Sequence, residues 1–295
     1  MPADDTTRVT RDPAARARTG LNLAWYELLA MFIILVGDAL LFAGYNALYA
    51  GVQALNIVAV GIIVVALRGE RVQLVQALAL ISVFGVVSFS LAHVSIIYSI
   101  IIVCVMWLPL VLVIPTLSWY LQVAFYGLMF IPIIAIVARQ KLSRYDLGLI
   151  GGFRLTYLIP AGILIGVGLG IIEYAILGNN PGIPNASASE LIRLSILMIF
   201  IVALVEELIF RVLLQSQLIA RSGAIAGILM TSLLFGALHA IYGNVYELLF
   251  TAGASVVFGV AFYKTKSLPF VVTMHAVDDI FLAGVLPFLP LAVLH

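Results

Sequence analysis

One segment in the last third of the chain places three ionisable side chains inside an apolar stretch. Val205-Glu-Glu-Leu-Ile-Phe-Arg-Val212 carries Glu206, Glu207 and Arg211. Each such group costs about 2.5–3.5 kcal/mol near the centre of a membrane helix, so unpaired charges are selected against there. Glu207 and Arg211 are i, i+4 neighbours that can pair on one helix face, whereas Glu206 lies about 100° around the helix. The spacing therefore predicts one carboxylate held by the arginine and one left free, as a general base requires.

Two later apolar segments carry the histidines that complete such a site. In Phe235-Gly-Ala-Leu-His239 the phenylalanine and the histidine are four residues apart, and in His275-Ala-Val-Asp-Asp279 the histidine faces the same side as Asp278 and Asp279. If three helices bring these groups together, imidazoles and carboxylates share one polar pocket within lipid. Such a pocket can polarise a water molecule, which is what peptide hydrolysis needs.

The composition indicates what positions these residues. Of the 295 residues, 64% are hydrophobic and only 10% are charged, and the mean hydropathy is +1.19. A soluble core cannot bury so much apolar surface, so much of it must face the lipid bilayer. The net charge of +1 gives no indication of a nucleic-acid partner. We predict an all-α, polytopic transmembrane bundle of about eight to ten helices.

The chain divides into three parts by its polarity. We predict a polar N-terminal tail at 1–20, N-terminal transmembrane helices at 21–150 and a C-terminal catalytic helical bundle at 151–295. Within the last part, Gly162, Gly166 and Gly170 lie four residues apart in an apolar segment. This spacing is typical of helices that approach one another closely in a membrane.

The three motifs in order, Glu-Glu-x-x-x-Arg, Phe-x-x-x-His and His-x-x-x-Asn/Asp, resemble the CAAX-protease and bacteriocin-processing family, also called Abi. The resemblance covers about residues 190–285, with a weaker similarity in Tyr145-Asp-Leu-Gly-Leu149. It implies an intramembrane endopeptidase, integral and multi-pass, and we expect the plasma membrane of a prokaryote. The substrate would be a protein or peptide that enters from the membrane; a prenylated CAAX tail, a bacteriocin leader and a signal remnant all remain open.

The resemblance also implies roles for individual residues. Glu206 and His239 would activate the attacking water, and His275 and Asp279 would stabilise the oxyanion or help to hold a catalytic ion. Glu207 completes this candidate catalytic set by fixing the site. The candidate supporting residues are Arg211, Phe235 and Asp278.

Two positions depart from the commonest family pattern. Val212 stands where a small residue is common, and Asp279 stands where asparagine is common. An ionised aspartate cannot donate to an oxyanion, so Asp279 either is protonated, orients His275 or binds a metal. Glu206, His239, His275 and Asp279 are plausible Zn²⁺ ligands, although the same groups can act on water without an ion.

A non-enzymatic membrane transporter, or a scaffold that retains the pocket, is the alternative interpretation. Transport predicts ionisable residues along a path and an internal repeat, whereas these residues are concentrated on three successive segments. Asp38 and Glu173, in other apolar segments, are interpreted as packing or topology features, with transport as the alternative. Neither His-Glu-x-x-His nor Gly-x-Ser-x-Gly occurs in the sequence. Because the ionisable residues are concentrated on three successive segments, the sequence favours a peptidase over a transporter.

Overall fold

The computed structural model describes residues 23–66, 73–85, 114–149, 154–178 and 181–289, and this part of the chain is helical without strands. The predicted all-α bundle of about eight to ten helices is thereby confirmed. The helices are α1 (Trp25–Phe42), α2 (Asn46–Ala66), α3 (Gln73–Gly85), α4 (Ile114–Gln140), α5 (Leu155–Leu177), α6 (188–215), α7 (Ser216–Leu238), α8 (Val245–Thr265) and α9 (Leu268–Ile280).

Five of the described segments are long and apolar enough to cross a membrane. Their outward faces expose large apolar side chains such as Ile62 (65%) and Leu164 (75%), which water would disfavour but lipid accommodates. The segments are Trp25–Phe42, Asn46–Ala66, Leu155–Leu177, Val245–Thr265 and Leu268–Phe288.

Helix α6 carries the glutamate pair on a short α-helical turn between two π-helical stretches. The turn is Leu204–Glu207, and the π-helical stretches are Met198–Ala203 and Leu208–Gln215. A π-helical insertion changes which side chains share a face, and such insertions are frequent at functional sites. The local geometry of α6 therefore sets the directions in which the two glutamates project.

Helix α7 reverses direction at Gly223, where φ is +82° and ψ is 168°. This backbone conformation favours glycine because an L side chain would be strained there. The two arms then approach so closely that a Cβ atom on Gly227 would lie 2.6 Å from the Ile219 backbone nitrogen. The reversal places the second arm of α7, which carries Phe235 and is followed directly by His239, beside α6.

The glycine stripe of α5 packs against α9. A Cβ atom added to Gly162, Gly166 or Gly170 would lie within 3.2 Å of the backbone of α9, at the carbonyl oxygens of Phe270, Met274 and Asp278 respectively. The contacts advance together along both helices, so α5 and α9 run parallel. The predicted close packing is confirmed, and it fixes the helix that carries His275.

Helix α8 closes the site from the other side. The Asn244 side chain caps its first turn by accepting from the Tyr246 backbone N–H at 2.9 Å. Further along, Gln215 Nε2 of α6 donates to the Gly259 carbonyl at 2.9 Å. Helices α6, α7, α8 and α9 thus surround one buried polar region. The division of the chain at 20 and 150 stays a prediction.

Candidate active site

The Glu207–Arg211 pair is completely buried within the helices. Arg211 Nε donates to Glu207 Oε2 at 2.7 Å, and both side chains are 0% exposed. Arg211 Nη1 also donates to Ser255 Oγ of α8 at 3.0 Å. The structure therefore pairs the two residues as their i, i+4 spacing predicts, and anchors the guanidinium to a second helix.

The other oxygen of Glu207 orients His275. His275 Nδ1 lies 2.9 Å from Glu207 Oε1. A carboxylate paired with arginine is an acceptor, so the imidazole donates its Nδ1–H here. Ser255, Arg211, Glu207 and His275 consequently form one hydrogen-bonded chain through three helices. The chain leaves Nε2 of His275 directed at the remaining carboxylates.

Glu206 and Asp279 both face Nε2 of His275. Glu206 Oε2 and Asp279 Oδ2 each lie 3.7 Å from this nitrogen, beyond direct hydrogen-bond distance. Glu206 is 6% exposed and has no hydrogen-bond partner among the described residues, whereas the Asp279 side chain is 25% exposed. Glu206 is thus a buried carboxylate that is available to a water molecule, next to an oriented imidazole.

His239 approaches the same pocket from the end of α7. Its Nδ1 lies 3.0 Å from the Phe235 carbonyl oxygen, which can only accept, so Nδ1 carries a hydrogen. In the neutral imidazole this leaves the lone pair on Nε2. The Phe235 ring contacts both imidazoles, with centroid distances of 5.0 Å to His239 and 5.8 Å to His275.

The two aspartates after His275 have different surroundings. Asp279 lies on the Nε2 side of His275, and the Nδ1 hydrogen bond that an orienting Asp279 would make is made by Glu207 instead. Asp278 is buried among other acidic groups, namely Glu173 of α5 and Glu247 of α8. The i, i+3 and i, i+4 spacings allowed both aspartates to address His275, but only Asp279 does so closely.

Two residues of α8 support the site although sequence reasoning did not select them. Ser255 holds Arg211, and the Phe258 ring stacks on His275 with a centroid distance of 5.3 Å and an interplanar angle of 20°. Phe258 also lies under the Arg211 guanidinium, 5.8 Å from ring centroid to Cζ. A serine and a phenylalanine in an apolar helix are ordinary packing residues, so the sequence offers no signal that distinguishes them.

The arrangement of donors bears on the predicted zinc site. The described residues contain no group of three or more histidine, cysteine, aspartate or glutamate side chains arranged to hold a metal ion. A catalytic zinc takes three protein ligands at about 2.0–2.3 Å, with water as the fourth. The side chains as placed do not form such a group, and zinc binding by Glu206, His239, His275 and Asp279 stays a prediction.

Comparisons with known proteins give one match. Neither the curated proteins nor the solved structures contain a significant match to this chain. A protein-family model does match, over residues 188–281, about a third of the chain. Together with the five apolar helices, this match identifies an integral, multi-pass membrane protein. The matching family model is "Type II CAAX prenyl endopeptidase Rce1-like", which confirms for residues 188–281 the family resemblance that the three motifs indicated.

Proposed function

We propose that this protein is an intramembrane endopeptidase that hydrolyses a peptide bond of a membrane-associated protein or peptide. The observation that carries the proposal is the arrangement around Nε2 of His275. Its imidazole is held by Glu207 through Nδ1, and the two further carboxylates of Glu206 and Asp279 lie 3.7 Å from Nε2. A water molecule bound between these groups would be polarised by several of them at once.

Glu206 is the proposed general base, with His239 as its partner. The nearest polar contact of Glu206 among the described residues is His275 Nε2 at 3.7 Å, beyond hydrogen-bond distance, so its oxygens can accept from water. The carboxylate takes one proton from water while the water oxygen attacks the scissile carbonyl carbon. A new C–O bond forms, and the electron pair of the C=O bond moves to the carbonyl oxygen. His239 accepts a second hydrogen bond from the same water through Nε2.

The tetrahedral intermediate then collapses. Its negative oxygen accepts a hydrogen bond from His275 Nε2–H when that imidazole is protonated. The protonated Glu206 returns its proton to the peptide nitrogen, the C–N bond breaks, and the amine leaves. Glu207 and Arg211 act as positioning residues, because they hold the imidazole ring in this orientation.

The substrate class follows from the position of the site. The site lies among helices whose outer faces are apolar, so a substrate anchored in the bilayer can reach it. A prenylated CAAX tail is the first substrate to test, because it is the substrate class named by the matching family model. A bacteriocin leader or a signal remnant is the second. We place the protein in the plasma membrane of a prokaryote.

The test uses the full chain purified in detergent or reconstituted in vesicles. A farnesylated CAAX peptide and its unprenylated counterpart are incubated with wild type and with Glu206→Gln, and products are identified by mass spectrometry. Cleavage by wild type that is lost in Glu206→Gln supports the proposal. If wild type cleaves no membrane-anchored peptide of any class, including leader and signal peptides, the transporter or scaffold interpretation replaces it.

Whether the protein requires Zn²⁺ is tested in a second set of experiments. Direct metal analysis of the purified protein, together with cleavage after treatment with a chelator, measures whether an ion is required. Zinc near one equivalent, lost in His275→Ala, would mean that the side chains rearrange around a metal. Cleavage that proceeds at the same rate after the metal is removed would support water activation by the side chains alone.

A further inference from the structure

A second cluster of buried polar side chains lies where α1, α2 and α3 meet. Helix α2 buries four side chains at helical spacing, and three of them are polar: Tyr49, Gln53 and Asn56. On α1, Asp38 belongs to the buried face and is 2% exposed. The apolar side chains of α2 point outward, as Val58 and Ile62 do. The inner face of these helices is therefore largely polar.

Asp38, Tyr49, Gln53 and Asn56 are called the seam below, and two contacts bring their side chains close together. The Gln53 amide packs against Gly37, where an added Cβ atom would lie 2.7 Å from Gln53 Nε2, and Gly37 directly precedes Asp38. Asp38 is also close enough to Tyr49 for its charge to act on the phenol. Gln53 and Asn56 are i, i+3 neighbours and share one face of α2.

Five side-chain atoms of the seam are buried without a partner. Both Asp38 oxygens, Gln53 Oε1, Gln53 Nε2 and Asn56 Oδ1 have no hydrogen-bond partner among the described residues. Asn56 Nδ2 donates to Ser82 Oγ of α3 at 2.7 Å, which fixes the amide and leaves its oxygen open. A buried polar atom without a partner costs about 1–3 kcal/mol, so several together indicate an occupant.

Other buried amides nearby do have partners. Gln140 Nε2 donates to Gln76 Oε1 at 2.9 Å, and Gln217 Nε2 donates to Gln73 Oε1 at 2.7 Å. These pairs join α3 to α4 and to α7. These helix contacts thus satisfy two pairs of amide groups next to the seam, whereas the seam keeps several polar atoms without partners among the described residues.

We propose that Asp38, Gln53 and Asn56 form a binding site for a monovalent cation, with sodium as the ion to test. Oxygen atoms are the ligands that hard cations take, and the site offers a carboxylate and two amide oxygens. Asp38 contributes one negative charge, so a monovalent ion makes the buried site neutral, whereas a divalent ion would leave a net charge in the apolar interior. None of the three proposed ligands is among the residues assigned to the peptidase pocket, so the proposal does not depend on the proposed function.

The ion has a short route to this site. Asp38 lies four residues from the end of α1 at Phe42, which is about 6 Å along the helix axis. Gln53 lies seven residues from the start of α2 at Asn46, or about 10 Å. The proposed site therefore lies about 6–10 Å along the helix axes from the turn between α1 and α2, which is a short path for a cation.

Thermal unfolding of the detergent-purified full chain tests the proposal. Apparent Tm is measured in sodium, lithium, potassium and choline chloride at equal ionic strength. A ligand that binds only the folded state raises Tm by mass action, so we expect a saturable rise of about 2–4 °C in sodium over choline. Asp38→Asn should abolish the difference, and Glu190→Gln, a carboxylate-to-amide control at a partly exposed position on α6, should retain it.

A second variant and a direct measurement keep the test decisive if Asp38→Asn does not fold. Gln53→Met preserves side-chain length but removes a ligand oxygen, and should raise the half-saturating sodium concentration about tenfold. Retention of radioactive sodium by wild type should be saturable and displaced by unlabelled sodium. Equal Tm in all four salts, with no retained sodium, would overturn the proposal and mean that Asp38 holds a proton instead.

Discussion

Removal of the Arg211 side chain should destabilise the protein more than removal of any surface arginine. Arg211 and Glu207 are both 0% exposed, and the guanidinium makes hydrogen bonds to Glu207 and Ser255. Breaking a buried ion pair by deleting one partner costs about 3–5 kcal/mol, because the remaining charge stays buried without compensation. His275 still donates to Glu207 in Arg211→Ala, so we expect the lower end of that range.

The expected effect can be measured as a shift in apparent Tm. For domains of this size, 1 kcal/mol corresponds to about 2–4 °C, so Arg211→Ala should lower Tm by about 6–12 °C. Arg193→Ala is the matched control. Arg193 pairs with Glu190 by i, i+3 spacing, and their side chains are 37% and 20% exposed. An exposed pair of this kind contributes at most about 1 kcal/mol.

A double variant separates loss of charge compensation from loss of packing. In Glu207→Gln combined with Arg211→Met, no buried charge is left unpaired, and most of the lost stability should return. Abundance in membranes and Tm in detergent are measured for Glu207→Gln, for Arg211→Met and for the double variant. The reasoning is refuted if Arg211→Ala is no less stable than Arg193→Ala, or if the double variant is less stable than Arg211→Ala.

Three further predictions concern catalysis and are tested with any cleaved substrate. Glu206→Gln and His239→Ala should abolish hydrolysis without loss of folded protein; normal turnover in Glu206→Gln would transfer the base role to Asp279, the other carboxylate that faces Nε2 of His275. A pH–rate profile of Asp279→Asn separates two roles of Asp279. If Asp279 donates to the oxyanion while protonated, the variant should retain activity and lose less of it at alkaline pH. A fall in activity of about 10–100-fold would indicate that the ionised form of Asp279 is needed. Ser255→Ala should lower kcat with little change in KM, and Ser255→Thr, which keeps the hydroxyl, should restore kcat; equal kcat in Ser255→Ala and wild type would contradict a positioning role through Arg211.

Composition and helical periodicity were sufficient to predict the class of the fold and several of its contacts. An excess of apolar residues over what a soluble core can bury requires lipid-facing helices, whatever their order. The i, i+4 spacing of Glu207 and Arg211 is local, so their pairing follows from helix geometry alone. The glycine stripe at 162, 166 and 170 likewise predicted a close helix contact, and the structure supplies α9 as the partner.

Helical periodicity could not predict which groups contact Nδ1 and Nε2 of His275. On its own helix His275 can reach Asp278 or Asp279. The spacing does not show whether an aspartate orients the imidazole through Nδ1 or faces its Nε2. The π-helical stretches of α6 and the packing of α5 on α9 together bring Glu207 to Nδ1 and leave Asp279 on the Nε2 side. These contacts depend on rotations and offsets between helices, which no single segment encodes.

Ser255 and Phe258 also could not be identified as site residues from the sequence. By itself α8 is an apolar helix without a catalytic motif, and its serine and phenylalanine have the spacing of ordinary packing residues. Only when α8 lies against α6 and α9 does the serine hydroxyl meet Arg211 and the phenyl ring stack on His275. The sequence by itself determined which residues carry ionisable groups into the membrane and which pairs lie on one helix face. The tertiary structure decided which of those groups meet across helices, because long-range contacts depend on how the helix surfaces fit together.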